Sequence, residues 1–143
     1  MTDFRETQTF QNLVDAFSRE ARANRLYLYF SRRAALEGFE EISETFLEAA
    51  EGETGHALGH LDFLKDHGEP TTGKPIGTTR ENLEVAMELE LEENREIYPR
   101  MAEEARKEGF TEIAAWFDSL ARAEDSHADT FRSALERLEK RRS

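Results

Sequence analysis

The stretch Ala49-Ala50-Glu51-Gly52-Glu53-Thr54-Gly55-His56-Ala57 carries a glutamate and a histidine three residues apart. It returns as Leu120-Ala121-Arg122-Ala123-Glu124-Asp125-Ser126-His127-Ala128. Residues three apart share a face of an α-helix. Each Glu-x-x-His pair can therefore aim one carboxylate and one imidazole at the same point. The two copies stand 71 residues apart, and the likeness extends well beyond the pair. Between residues 37 and 57, ten of twenty-one positions are identical to those 71 further on. They include Glu37-Gly38-Phe39 with Glu108-Gly109-Phe110, Ile42 with Ile113, Phe46 with Phe117, and Ala50 with Ala121. Tyr27 and Tyr98 match as well. The chain reads as a duplicated helical hairpin whose halves are related by a pseudo-twofold axis. Two such hairpins make a four-helix bundle.

Working outward, long periodic runs broken at few Gly and Pro positions predict an all-α protein of four helices. The first runs from an N-cap at Thr9 to about Gly38. Its stripe of Leu13, Phe17, Glu20, Asn24, Tyr27, Ser31 and Ala34 advances in steps of four and three, one helix face. Residues before Thr9 read as a frayed, polar start. The second helix runs from Glu40 to His67, with Ile42, Phe46, Ala49, Glu53, His56, His60 and Phe63 as its stripe. His60 reads as a core histidine and His67 as an exposed one at the helix end. A linker over 69–77 holds Pro70, Gly73 and Pro75. Thr78 with Glu81 forms a capping box. It opens a third helix to about Glu108, with Leu83, Glu90, Glu93, Ile97 and Met101 on one face. The fourth helix runs from Thr111 to Lys140 on Ile113, Phe117, Leu120, Glu124, His127, Phe131, Ala134 and Leu138. The expected organisation is one domain over 1–143, with hairpins 9–68 and 78–140.

Composition narrows the function. A net charge of −12 argues against nucleic-acid binding, which needs a basic footprint. No apolar run is long enough to span a bilayer, so no membrane partner is expected. No N-terminal leader is visible, and cytoplasmic residence is the default expectation. The absence of cysteine removes thiolate metal sites and thiol redox chemistry from this stretch.

In a chain with 31 acidic residues, a lone Glu-x-x-His says little. The position of the glutamates says more. Glu20, Glu53, Glu90, Glu93 and Glu124 lie on the apolar stripes, whereas Glu44, Glu48, Glu88, Glu92 and Glu96 lie off them. Burying unpaired carboxylates costs several kcal/mol each, roughly, or forces their neutralisation. Arginine and lysine fall largely on the outer faces, so metal ions are the economical counter-charge. Carboxylates with two imidazoles and no thiolate suit iron or manganese, with zinc as an alternative occupant. One Glu from each of two helices plus Glu-x-x-His from each of the other two is the di-iron carboxylate arrangement. This chain has one carboxylate more, because the third helix offers both Glu90 and Glu93.

Two geometric expectations follow. Glu20 to Tyr27 is seven residues, but Glu90 to Tyr98 is eight, and the residue 71 after Glu20 is Leu91. An extra residue inside a helix predicts a π-bulge between Glu90 and Pro99, and Pro99 itself removes one helical hydrogen bond. The connection between the hairpins is also short. At about 1.5 Å per residue, Glu53 lies about 21 Å from the end of its helix and Glu90 about 17 Å from the start of its own. Bringing both level within one chain requires a return of about 38 Å, against a full extension of about 37 Å for residues 68–78. The expectation is a domain-swapped homodimer in which each hairpin pairs with one from a second chain.

Glu20 with Asn24-Arg25-Leu26-Tyr27, Glu53 with His56, Glu90-x-x-Glu93 followed by Ile97-Tyr98-Pro99, and Glu124 with His127 together resemble the rubrerythrin family. The resemblance is to its ferritin-like di-iron domain and covers nearly the whole chain. It is nearest to the short members that lack a rubredoxin domain. The resemblance implies that Glu53 and Glu124 bridge two irons. Glu20 would be terminal on the first iron, and Glu93 and His127 on the second. Glu90 and His56 would be exchangeable ligands of the first iron, and Tyr27 and Tyr98 hydrogen-bond donors beside the ligands. It also implies a peroxidase that reduces hydrogen peroxide to water with electrons from an external donor protein. An oxygen-consuming ferroxidase and a non-catalytic metal-binding bundle are the alternatives.

Overall fold

The computed structural model of the protein describes residues 2–141, and all regular structure among them is helical. The chain divides into two compact units, Met1–Gly73 and Lys74–Ser143. The division falls inside the expected linker, and each unit is one hairpin.

In the first unit, a 3₁₀ turn over Phe4–Glu6 leads into α1, Gln8–Leu36. The N-cap is Thr7, not Thr9. Thr7 is extended, and its hydroxyl accepts the Phe10 amide at 3.1 Å, satisfying a donor the helix leaves unpaired. Both threonines suit the role by type; the preceding turn, capped by Asp3, selects Thr7. The expected frayed start is likewise replaced by an ordered one. Phe4 packs edge-on against the buried Phe10 at 5.7 Å and over the His67 ring at 4.8 Å. The Arg5 guanidinium lies 5.2 Å over the Phe10 ring and donates to the His67 carbonyl. His67 is therefore half-buried rather than exposed.

Gly38, at φ 88°, ends α1 in the left-handed conformation that glycine adopts without steric cost. The Phe39 amide returns to the Ala34 carbonyl at 2.8 Å, and α2 starts at once over Glu40–Leu64, extended by a 3₁₀ turn to His67. Beyond it, the Glu69 side chain accepts from the Thr72 amide at 2.7 Å and the Thr71 amide at 3.0 Å. The Gly73 amide closes this turn on the Glu69 carbonyl at 2.7 Å.

The seam of the first hairpin is heptad-like. On α1 the expected stripe is the one that packs, extended back to Phe10. On α2 the packed positions are Ser43, Phe46, Ala50, Glu53, Ala57, His60 and Leu64, with Ser43, Ala50, Ala57 and Leu64 buried. The expected α2 stripe is thus rotated in part by one residue. Ile42 is 51% exposed and Phe63 71% exposed. The reason is that α2 carries apolar residues on two adjacent stripes, and periodicity cannot say which one α1 covers.

The second unit repeats this plan with an interruption. Thr78 accepts from the Glu81 amide and Glu81 from the Thr78 amide, both at 3.1 Å, the expected capping box. α3 spans Thr79–Glu92, a π-helical segment spans Glu93–Ile97, and α4 spans Tyr98–Lys107, with Pro99 in its first turn. The expected bulge between Glu90 and Pro99 is present. Gly109, again at φ 88°, turns the chain into α5, Thr111–Lys140. Along α5, Ala114 and Ala128 are buried, with Phe117, Ala121 and Glu124 half-buried between them and Phe131 half-buried beyond. Ile113, by contrast, is exposed, as its counterpart Ile42 is. No helix among the described residues is long and apolar enough to cross a membrane.

Candidate metal centre

Each hairpin gathers two glutamates and one histidine. In the first, His56 Nδ1 stands 3.4 Å from Glu20 and 3.7 Å from Glu53. In the second, His127 Nδ1 stands 3.6 Å from Glu90 and 3.7 Å from Glu124. Within each trio, one donor atom from every residue lies within 4.8 Å of the others, so each trio could hold a metal ion. The local reason is spacing. The Glu-x-x-His pair supplies two donors from the second helix of the hairpin, and the antiparallel first helix brings its glutamate to the same level.

The donor set fits a metal. The four carboxylate side chains are at most 24% exposed, while the imidazoles of His56 and His127 are 63% and 58% exposed. Glu90 Oε2 is buried and has no hydrogen-bond partner. A carboxylate oxygen in that state costs roughly 1–3 kcal/mol, and more when charged, unless something positive is supplied. Among the described residues, lysine and arginine ion pairs lie elsewhere, for example Arg106 with Asp118 at 2.8 Å and Arg33 with Glu37 at 3.2 Å. Two clustered carboxylates with an imidazole ask for a hard or borderline divalent cation.

The third helix departs from the expected roles. Glu90, not Glu93, is the carboxylate beside His127 and Glu124. Glu93 is half-buried in the π segment and belongs to neither trio. The cause is the bulge. As far as Asn94 the two halves correspond at an offset of 70, Glu20 with Glu90 and Asn24 with Asn94; from Tyr98 on the offset is 71, Tyr27 with Tyr98. A single constant offset hid the equivalence of Glu20 and Glu90. Tyr27 and Tyr98 also lie outside the trios. Tyr27 stacks on Phe46 at 6.3 Å and Tyr98 on Phe117 at 6.0 Å, a matched pair in the two hairpins.

The rubrerythrin family profile matches residues 11–135. The chain belongs to the rubrerythrin family. It is 38% identical to the rubrerythrin of Clostridium perfringens over 97% of its own length and 75% of the relative's. It is 39% identical to that of Porphyromonas gingivalis, covering 93% of this chain and 68% of the relative. A putative rubrerythrin of Methanocaldococcus jannaschii is 33% identical over 92% of this chain and 71% of the relative. Membership of the rubrerythrin family places the protein in the ferritin-like class of di-iron helical proteins, and it gives the two trios their metal-binding context. Two further residues at this rubrerythrin site had no role assigned from sequence. Asn24 donates to the Ala50 carbonyl at 2.8 Å and to Thr54 Oγ1 at 2.9 Å, and Asn94 donates to the Ala121 carbonyl at 2.6 Å. Their signal was Glu-x-x-x-Asn, present at Glu20–Asn24 and again at Glu90–Asn94.

Proposed function

We propose that this protein is a di-iron peroxidase that reduces hydrogen peroxide to water with electrons from an external donor protein. The observation that carries the reading is the odd carboxylate, Glu93. The pseudo-symmetric trios account for six ligands, and Glu93 is a seventh, set on an irregular turn of helix next to one of them. A site with one carboxylate to spare can offer a metal a choice of ligands. When bound, a pair of irons supplies the two electrons that, with two protons, convert one peroxide to two waters; manganese or zinc are alternative occupants.

The chain's own residues take these roles in the proposal. Glu53 and Glu124 would be shared between the two metals. Glu20 would hold one metal, and Glu90 with His127 the other, as the pairing of Glu20 with Glu90 suggests. His56 and Glu93 would be the exchangeable ligands, which reverses the roles first expected for Glu90 and Glu93. Tyr27 and Tyr98, held by their phenylalanine stacks, donate hydrogen bonds beside the ligands.

The centre is completed when the two hairpins of a bundle face each other, and we place that pairing between two copies of the chain. Supporting it, residues 69–73 are already folded into the Glu69 turn, which uses up part of the reach that a return within one chain needs. Ile42, Phe63, Ile113 and Trp116 are exposed apolar residues that such pairing would cover.

The test is stopped-flow oxidation of the anaerobically reduced, iron-loaded protein by peroxide and, separately, by oxygen. Oxidation much faster with peroxide is the expected result. Oxygen equal or faster would make the protein a ferroxidase or oxidase instead.

A further inference from the structure

We propose that Asn24 and Asn94 are positioning residues: each locks the register of its hairpin so that the carboxylates of the two helices meet at one metal position. The inference rests on the metal reading above.

The small residues buried in the hairpin seams do little to fix register at the level of the ligands, and the directional Ser31–Ser43 bond lies about three turns from Glu20. In the first hairpin the buried positions of α2 before Leu64 are Ser43, Ala50 and Ala57, small residues that let helices approach closely but offer little to resist sliding. In the second, Ala114 and Ala128 are the buried residues of α5. Yet the site tolerates little sliding. A slip of one residue moves a helix by about 1.5 Å along its axis, and the Glu20–His56 approach is 3.4 Å.

A directional bond between helices at that level solves the problem. Asn24 lies one turn after Glu20, and Ala50 one turn before Glu53. In antiparallel helices both displacements point the same way. The bond from Asn24 to the Ala50 carbonyl, at 2.8 Å, therefore ties the two helices one turn from the ligands. A carbonyl has two lone pairs, so it can accept this bond while serving its own helix.

The same bond recurs where simple repetition would not place it. Asn94 donates to Ala121 at 2.6 Å, one turn before Glu124. Had the offset of 71 held throughout, the counterpart of Asn24 would be Arg95 and that of Glu20 would be Leu91. The π segment absorbs the extra residue just beyond Asn94, so that Glu90 and Asn94 move together as one unit while Tyr98 keeps its stack on Phe117. In both hairpins, glutamate and asparagine keep their spacing of four.

The test titrates the metal-depleted protein with Co(II), reading the visible ligand-field spectrum and the affinity by chelator competition. Asn24→Ala and Asn94→Ala should each weaken one site by roughly 10- to 100-fold, as loss of a ligand-orienting partner does, and should alter that site's spectrum. Asn24→Leu, near-isosteric and helix-favouring, should do the same should the alanine variant fold poorly. Ser31→Ala is the control. It removes another buried bond between the same helices, Ser31 Oγ to the Ser43 carbonyl at 3.0 Å, at a position where the second hairpin carries Ala102. It should lower the Tm comparably and leave cobalt affinity and spectrum unchanged. Adding Asn24→Ala to Glu20→Gln should cost little more than Glu20→Gln alone. Wild-type affinity and spectrum in both asparagine variants, or an equal loss in Ser31→Ala, overturns the proposal. A wild-type chain that binds no cobalt overturns the metal reading itself, and this inference with it.

Discussion

Glu90 stands beside His127 at 3.6 Å as Glu20 stands beside His56 at 3.4 Å. The two glutamates are counterparts although no single offset aligns them. This makes Glu90 and Glu93 separable by experiment. Glu90→Ala should abolish metal binding at one of the two positions, seen as metal content falling from two ions to about one per chain. Glu93→Ala should keep both ions and slow peroxide turnover by roughly 10-fold or more. The reverse pattern would restore the roles first expected for these residues.

The π segment should be needed for the site and not for the fold. Deleting Glu96, which is exposed, would let the helix run regularly from α3 into α4. One residue of helix is about 100° of rotation. Glu90 and Asn94 would then turn away from α5, or Tyr98 would leave Phe117. The expected outcome is near-native helical circular dichroism with loss of about one metal ion per chain. Full metal retention would show the bulge to be dispensable.

The pairing of hairpins between two chains predicts a response to linker length. Inserting about 12 Gly/Ser residues after Gly73 gives a flexible connection with ample reach. Light scattering should then show the parent as a dimer and the insertion variant shifting to monomer, with metal content preserved. A parent that is a metal-loaded monomer would refute the swap.

Metal removal should destabilise the protein more than surface ion pairs could. Four largely covered carboxylates sit in two clusters, each beside an exposed imidazole. A ligand that binds only the folded state stabilises it by about 2.7 kcal/mol at 100 times its Kd. Chelation should lower the Tm by several degrees, and Glu124→Gln should shrink the difference between loaded and stripped protein. An unchanged Tm on chelation would mean that the clusters are held by something else.

A local contribution can be measured alone. Thr78→Ala removes the hydroxyl that accepts the Glu81 amide at 3.1 Å. The expected loss is about 1 kcal/mol by denaturant unfolding. No change would mean that the start of α3 is held by other contacts.

Much of this was legible in the sequence, because it depends on local rules. Helix ends followed from Gly38, Gly109 and the Thr78–Glu81 box, and the duplication followed from repeated identities. Even the bulge could be read, since an extra residue between two matched markers must go somewhere. What the sequence left open were choices between equivalent neighbours. Thr7 and Thr9 are alike as caps until the Phe4–Glu6 turn selects one. The two apolar stripes of α2 are alike until α1 covers Ala50 and Ala57 and leaves Phe63 in the open. Glu90 and Glu93 share a predicted face until the π turn rotates Glu90 to His127. The sequence by itself determined the composition of the site: which residue types, on which helices, at which spacing. Only the tertiary structure decided which of them meet, because that depends on register between helices, and register is set by interhelical contacts such as those of Asn24 and Asn94.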